Sequence, residues 1–322
     1  MNPAINQCIV LFNVLFVMIY VCYLFKVKAF KMNADPLTHQ PLFKAALIIP
    51  IISFLLLGAV VWGGHSFQID SDGFNTFLNI SKLPLAILSL SIPFGVIVNN
   101  VHRTIQTDKQ IKEAEKKNKI DGFYAHRKNT VEVIQNIEFK PLYILGQEHN
   151  IEIRNGYSSY KTFFPFATPS NTDYTPSPLF ITKSNALWLE MATLVEHTNF
   201  ENTLHYFNHA TKIENCLNRM HMAYLLKELG NNRIYGRVFL SEDGQKYEFR
   251  TVLRGEDDLK SCLSAYWLTH LSIMEILEHT FTKDFQAKTR TMIDYILSRE
   301  ERFGTWGSGN LINATIPQVV KI

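Results

Sequence analysis

Three stretches of this 322-residue chain contain no Lys, Arg, Asp or Glu: Ile5 to Phe25, Ala45 to Gly64 and Leu83 to Val101. The absence of charge excludes ordinary amphipathic surface helices at these places. A hydrocarbon core about 30 Å thick is crossed by roughly 20 helical residues, close to the length of each run. Hydrophobic residues make up 47% of the whole chain, an ordinary average that conceals how strongly they gather toward the N-terminus. The pattern predicts an integral membrane protein with spans at about 5–25, 45–64 and 82–101.

Other absences narrow the reading further. No charge precedes Lys26 and no small-x-small site follows the first run, so a retained anchor is expected rather than a cleaved signal peptide. Tyr20-Val21 ahead of Cys22 lacks the small residue that precedes a lipidated cysteine. The four cysteines, Cys8, Cys22, Cys216 and Cys262, form no CxxC pair, so neither a zinc site nor a disulfide framework is indicated. The chain has no GxxxxGK[ST] phosphate loop, no GxSxG elbow and no HExxH frame. No cofactor or metal is expected, and the chain is not read as an enzyme.

The loops divide by charge. Lys26, Lys28, Lys31 and Lys44 surround Asp35 in and beside the first loop, whereas His65 to Asn79 holds Asp70 and Asp72 and no base. Arg103, Lys109, Lys112, Lys116, Lys117 and Lys119 follow the third run. Basic loops stay on the cytoplasmic side, which predicts an outward N-terminus and a cytoplasmic C-terminal part. Lys82 falls at the outer interface, where its long stem can snorkel toward water.

The expected organisation is a transmembrane domain (1–102), a charged juxtamembrane helix (103–140) and a cytoplasmic domain (141–322), mainly α with one small β-hairpin. The juxtamembrane segment is rich in helix formers, with a break expected at Asp121-Gly122. Its Arg103, Lys109, Lys112 and Lys116 are candidate contacts for anionic lipid headgroups. A solvated connecting helix is the simpler account of them. A nucleic-acid surface lacks the interleaved aromatic platform it would need.

Beyond it, Pro165, Pro169, Pro176 and Pro178 exclude a long helix between 141 and 180. Helices are predicted at SNALWLEMATLVEH, with Ser184 or Asn185 as N-cap, and at 202–229, ending at Gly230-Asn231. Two more are expected at about 257–280 and 283–300. RIYGRVFLSEDGQKYEFRTVL reads as a hairpin turning at Glu242-Asp243-Gly244-Gln245. The last twenty residues are glycine-rich and specify little. From Pro141 onward 18 bases meet 20 acids, a net charge of −2, which gives no broad nucleic-acid surface.

Weak constellations remain. His205 and His209 are spaced i, i+4 and could share a metal, but no acid at ligand spacing accompanies them. Surface or core histidines explain them better. Glu275 and His279 read as a helix ion pair, Met220-His221-Met222 as helix core, and the glycines near Gly307 lack a flanking strand and helix.

The third span carries the sharper signal. Pro93 in its interior removes the hydrogen bond to the Ser89 carbonyl and predicts a kink, eased by the Ser89 or Ser91 hydroxyl. At 100° per residue, Lys82, Ser89, Pro93 and Asn100 fall within about 40° of one another on a straight helix. Polar groups are costly against lipid, so this face should meet another helix, another subunit or water. Packing within the chain is one account; a kinked helix lining or gating a pore after self-assembly is the other.

The segment ISKLPLAILSLSIPFGVIVNNVHRTIQTDKQIKEAEKKNKIDGFYAHRKN, Ile80 to Asn129, resembles one in small bacterial inner-membrane proteins of anti-phage defence, the transmembrane effectors encoded with retrons. The resemblance implies a toxin-like effector held inactive by a reverse transcriptase and its RNA–DNA hybrid. Infection would release it to compromise the bacterial inner membrane, giving antiviral defence by abortive infection. It carries over no catalytic residues. Such effectors are described with two spans, and this chain reads as three. The alternative from another class is a membrane-anchored sensor or adaptor that binds a ligand or partner without forming a pore.

Overall fold

The computed structural model describes residues 3–230 and 233–322, so Asn231, at the expected end of the 202–229 helix, lies outside them. The chain is mainly α and forms two compact units, Met1–Asn118 and Lys119–Ile322. The division falls within the segment read as a juxtamembrane helix.

In the first unit, α1 (Pro3–Lys26) and α2 (Pro41–Trp62) have 24 and 22 residues. At 1.5 Å per residue they reach about 36 and 33 Å, enough to cross a hydrocarbon core. The stretch Lys82–Gln135 supplies the third helix long and apolar enough to do so. The protein is therefore a membrane protein, as its three uncharged runs require. Pro41 opens α2 at a position where its missing N–H costs nothing. Ala45, Ala46, Ser53 and Gly58 are buried on α2, which packs against both α1 and α4 (Lys82–Ser89). Small side chains let helix backbones approach closely in a membrane.

The loop expected between 65 and 79 contains a helix, α3 (Ser71–Ile80), capped by Asp70, whose carboxylate accepts from Gly73 N at 2.7 Å. It leaves Phe74, Phe77 and Leu78 exposed. The third span is likewise not one continuous helix. It divides at Leu90 into α4 and α5 (Ser91–Gln135). Leu90 N bonds back three residues, to Ile87 O, and regular spacing resumes with Phe94 N to Leu90 O. Pro93 thus stands in the first turn of α5 rather than mid-helix, a position that tolerates proline. The expected break at Asp121-Gly122 is absent: α5 passes through both residues and ends at Gln135, short of 140.

In the second unit, the span 141–180 has regular structure that proline spacing did not reveal. Strands β1 (Leu142–Ile144) and β2 (Gln147–His149) pair antiparallel around Leu145 and Gly146, both at positive φ (52° and 74°). Two such residues form the tight turn whose twist suits a hairpin. Helix α6 (Gly156–Phe163) follows. Helix α7 (Pro178–Glu196) starts earlier than expected, capped by Ser177. Ser184, the expected cap, is buried inside it and donates to Phe180 O at 2.9 Å. Helix α8 (Thr203–Ala223) stops short of Gly230. Helices α9 (Glu256–Ile276) and α10 (Lys283–Leu297) stand where expected.

Three helices end in one way. After α1, α8 and α9, the residues Lys28, Leu225 and Glu278 take φ of 53°, 56° and 50°. Each time the next amide reaches back five residues, Ala29 N to Leu24 O, Leu226 N to His221 O and His279 N to Met274 O. This closing motif ordinarily uses glycine. Ile153 and Leu226 then form a bridge that draws the chain off α8.

The expected hairpin forms as β3 (Ile234–Leu240) and β4 (Lys246–Thr251), with Tyr235 opposite Thr251 and Leu240 opposite Lys246. The final residues add β5 (Leu311–Ile312) and β6 (Gln318–Lys321), giving an antiparallel sheet in the order β5-β3-β4-β6. The core gathers Trp188, Trp306, Tyr224, Tyr295, Phe163, Phe249 and Phe303, all fully buried. Both buried indoles donate to tyrosines, Trp188 to Tyr224 at 2.7 Å and Trp306 to Tyr206 at 2.8 Å. Glu256, in the first turn of α9, accepts from Tyr295 Oη at 2.5 Å and from the amides of Arg302 and Phe303. One carboxylate thereby ties α9, α10 and the C-terminal segment together.

Candidate membrane-active face and juxtamembrane helix

The broken third span has two unlike sides. Pro84, Val98 and His102 are buried, with Ser91 half-buried between them. Pro84, Ser91 and Val98 recur every seven residues, the spacing of a helix seam. Lys82, Ser89, Pro93 and Asn100 are all exposed. The structure groups these four only in that all of them are exposed on the same broken span. The serine hydroxyls turn inward on their own backbone, Ser89 Oγ donating to Ala86 O and Ser91 Oγ to Leu88 O, both at 2.7 Å. They ease the break at Leu90 and do not present free donors to the membrane.

The buried side is held by contacts that the sequence reading overlooked. His102 is 3% exposed and bonds through Nε2 to Asp35 O at 2.6 Å. That carbonyl belongs to a first loop held by its own side chains, where Gln40 Nε2 donates to Asn33 Oδ1 at 2.6 Å and to Asp35 O at 3.1 Å. Near the other end, Trp62 Nε1 donates to the buried Ser81 Oγ at 2.7 Å and its ring stacks on Phe77. In α1, Asn6 and Asn13 lie seven apart, and Asn13 is one of the two residues of that helix that are buried. Asparagines repeating by seven in an uncharged run were a legible signal of a helix–helix seam.

The bases after the span do not form one cluster. Lys109, Lys112 and Lys116 share a face within about 60° at 100° per residue, and Arg103 points roughly the other way. Lys112 pairs with Asp108 at 2.7 Å and Lys109 with Glu113 at 4.0 Å, all four side chains well exposed. Exposed pairs of this kind contribute little. Arg127, farther along, is held over Phe123, Tyr124 and Tyr157 at 5.3, 4.9 and 5.4 Å. It serves the second unit's own packing.

In the second unit the sequence constellations separate into structural roles. His205 pairs with Glu201 at 3.2 Å, whereas His209 is buried with Nε2 on Leu194 O at 2.8 Å. Glu275 and His279 share no helix face, because α9 has closed at Glu278 before His279. Of the Met-His-Met run, Met220 is core, Met222 is exposed, and His221 is buried between Tyr266 and Lys227 O. Tyr224, accepting from Trp188, is also hydrogen-bonded to His270 Nδ1 at 3.0 Å. Burial pushes His270 down to about 3, so its ring is neutral in this aromatic cluster. Burial likewise raises the Cys216 thiol to about 12, leaving it inert. Among the described residues no group of three or more His, Cys, Asp or Glu could hold a metal ion.

No protein family, curated protein or solved structure matches this chain.

Proposed function

We propose that this protein is a non-enzymatic effector of the bacterial inner membrane that, once released, compromises the bilayer and ends infection by abortive infection. The observation that carries the reading is the third span: broken at Leu90, packed on one side, and bare along Lys82, Ser89, Pro93 and Asn100. Lys82 can snorkel to water at the outer interface, but an Asn100 amide facing lipid is expensive, so a second copy of the chain, or water between copies, is the natural cover for that line. In this reading the copies meet along it, and the second unit is cytoplasmic. Lys109, Lys112 and Lys116 lie against anionic headgroups, each contributing about 1 kcal/mol when near the surface. The resemblance of residues 80–129 supports a retron setting, with a reverse transcriptase and its RNA–DNA hybrid as the restraining partner.

The test is a phage challenge of cells carrying the whole locus, with and without this gene, while membrane potential is recorded. Protection accompanied by loss of potential, both absent without the gene, is expected. Protection with the potential intact would remove membrane damage from the account. A membrane-anchored sensor is the second reading, and a cavity of about 320 Å³ bounded by α8, α9 and the sheet in the second unit favours it.

A further inference from the structure

The three spans give α3 no role. Every one of its ten residues is at least partly exposed, polar and apolar alike. At 100° per residue Phe74, Phe77 and Leu78 fall within about 100° of one another. Asp72, Asn75, Thr76 and Asn79 gather within about 100° on the opposite side. Isolated helices shorter than about 12–15 residues are marginal in water, so a helix this short with a bare apolar face needs a cover.

The residues before α3 extend its apolar side. Phe67 is 90% exposed and Ile69 77%. A Cβ at Gly73 would meet the Gln68 carbonyl, so the loop doubles back onto the helix. Phe67, Ile69, Phe74 and Phe77 open with Trp62 onto one cavity of about 740 Å³. Trp62 stacks on Phe77, and tryptophan gathers at membrane interfaces.

Attachment decides what covers the face. Ser81 alone separates α3 from α4, where the third span begins. That serine is buried and accepts from Trp62 Nε1 at the end of α2. Tied so closely to two spans, α3 cannot leave the membrane surface.

We infer that α3 lies in the interfacial layer of the bilayer, where α2 leaves and α4 enters, with Phe74, Phe77 and Leu78 among the acyl chains. Phe67 and Ile69 seat beside them, and lipid fills the cavity next to Trp62. Apolar burial rather than charge drives the seating, because residues 65–79 carry Asp70 and Asp72 and no Lys or Arg. Through Ser81 the seated helix fixes the point at which the third span enters. The inference rests on the protein spanning the membrane and holds whether or not the spans damage it.

Spin labels measure the depth. The full chain carries one nitroxide, on Phe74→Cys, Asn75→Cys, Leu78→Cys or Asn79→Cys. A Cys8→Ser/Cys22→Ser background removes the two exposed thiols, and the buried Cys216 and Cys262 stay unlabelled. Vesicles of phosphatidylcholine, with and without phosphatidylglycerol, hold the protein. Power saturation then compares oxygen, which concentrates among acyl chains, with a water-soluble nickel chelate present on both sides of the membrane. The logarithm of the oxygen-to-chelate ratio should be positive for labels replacing Phe74 and Leu78 and negative for those replacing Asn75 and Asn79. Phosphatidylglycerol should leave all four values unchanged. Equal values at the four sites would put the helix in water if negative and in the bilayer interior if positive. Low access of both reagents at Phe74 and Leu78 would mean that a second copy or another protein covers the face. Either result, or a seating that requires phosphatidylglycerol, would overturn the inference.

Discussion

Glu214 on α8 is 3% exposed, and its Oε2 accepts from Val252 N at 2.9 Å. Glu214→Gln retains the acceptor for Val252 N and replaces a burdened acid with a neutral amide of the same shape. In the folded chain burial lifts the Glu214 carboxyl from near 4.5 up to about 8. Below the lower value both folded and unfolded states hold the proton, and the acid costs nothing. Above it the unfolded chain ionises and the folded chain does not. Stability then falls by about 1.4 kcal/mol per pH unit until the folded group also titrates. At pH 7 the accumulated cost is about 3 kcal/mol. Gln carries no such burden. Chemical denaturation of the full chain in micelles, followed by tryptophan fluorescence, measures the difference. Whatever offset the buried amide N–H groups introduce, the variant should gain about 3 kcal/mol on wild type between pH 4.5 and pH 7. Parallel pH profiles would refute the reasoning, because they would mean that Glu214 is ionised in the folded protein.

Two further substitutions test the second unit by the same assay. Glu256→Ala strands the Tyr295 hydroxyl and the Arg302 and Phe303 amides. It should cost about 3–5 kcal/mol, and a loss under about 1 kcal/mol would contradict the tie. Glu278→Gly relieves a left-handed residue at an exposed helix end and should stabilise by about 0.5–1 kcal/mol. A destabilisation would contradict the closing motif.

The elements legible in the sequence were those with local causes. Uncharged runs marked the three spans, and Asp243-Gly244 marked the β3–β4 turn, where Gly244 takes φ 76°. The β1–β2 hairpin escaped because its turn is Leu145-Gly146. A left-handed leucine is not a turn signal, and it is held here by a bond from Leu145 N to Val252 O, more than a hundred residues away. Lys28, Leu225 and Glu278 hid three helix ends for the same reason: none is glycine. Strands β5 and β6 exist through pairing with β3 and β4 and have no pattern of their own. A helical projection put Lys82, Ser89, Pro93 and Asn100 on one line. Which side of the span is packed depended on α2, the Asp35 carbonyl and His102, and these are tertiary facts. Glu214 looked like any helix acid until the sheet covered it.

The central claim concerns the bare line along the third span. Its most direct test is the membrane potential of cells expressing wild type or Ser89→Leu/Asn100→Leu at matched membrane abundance. The account predicts depolarisation by wild type and a retained potential in the double variant, whose line keeps only Lys82, at its outer end, as a polar group. Equal depolarisation by both would contradict it.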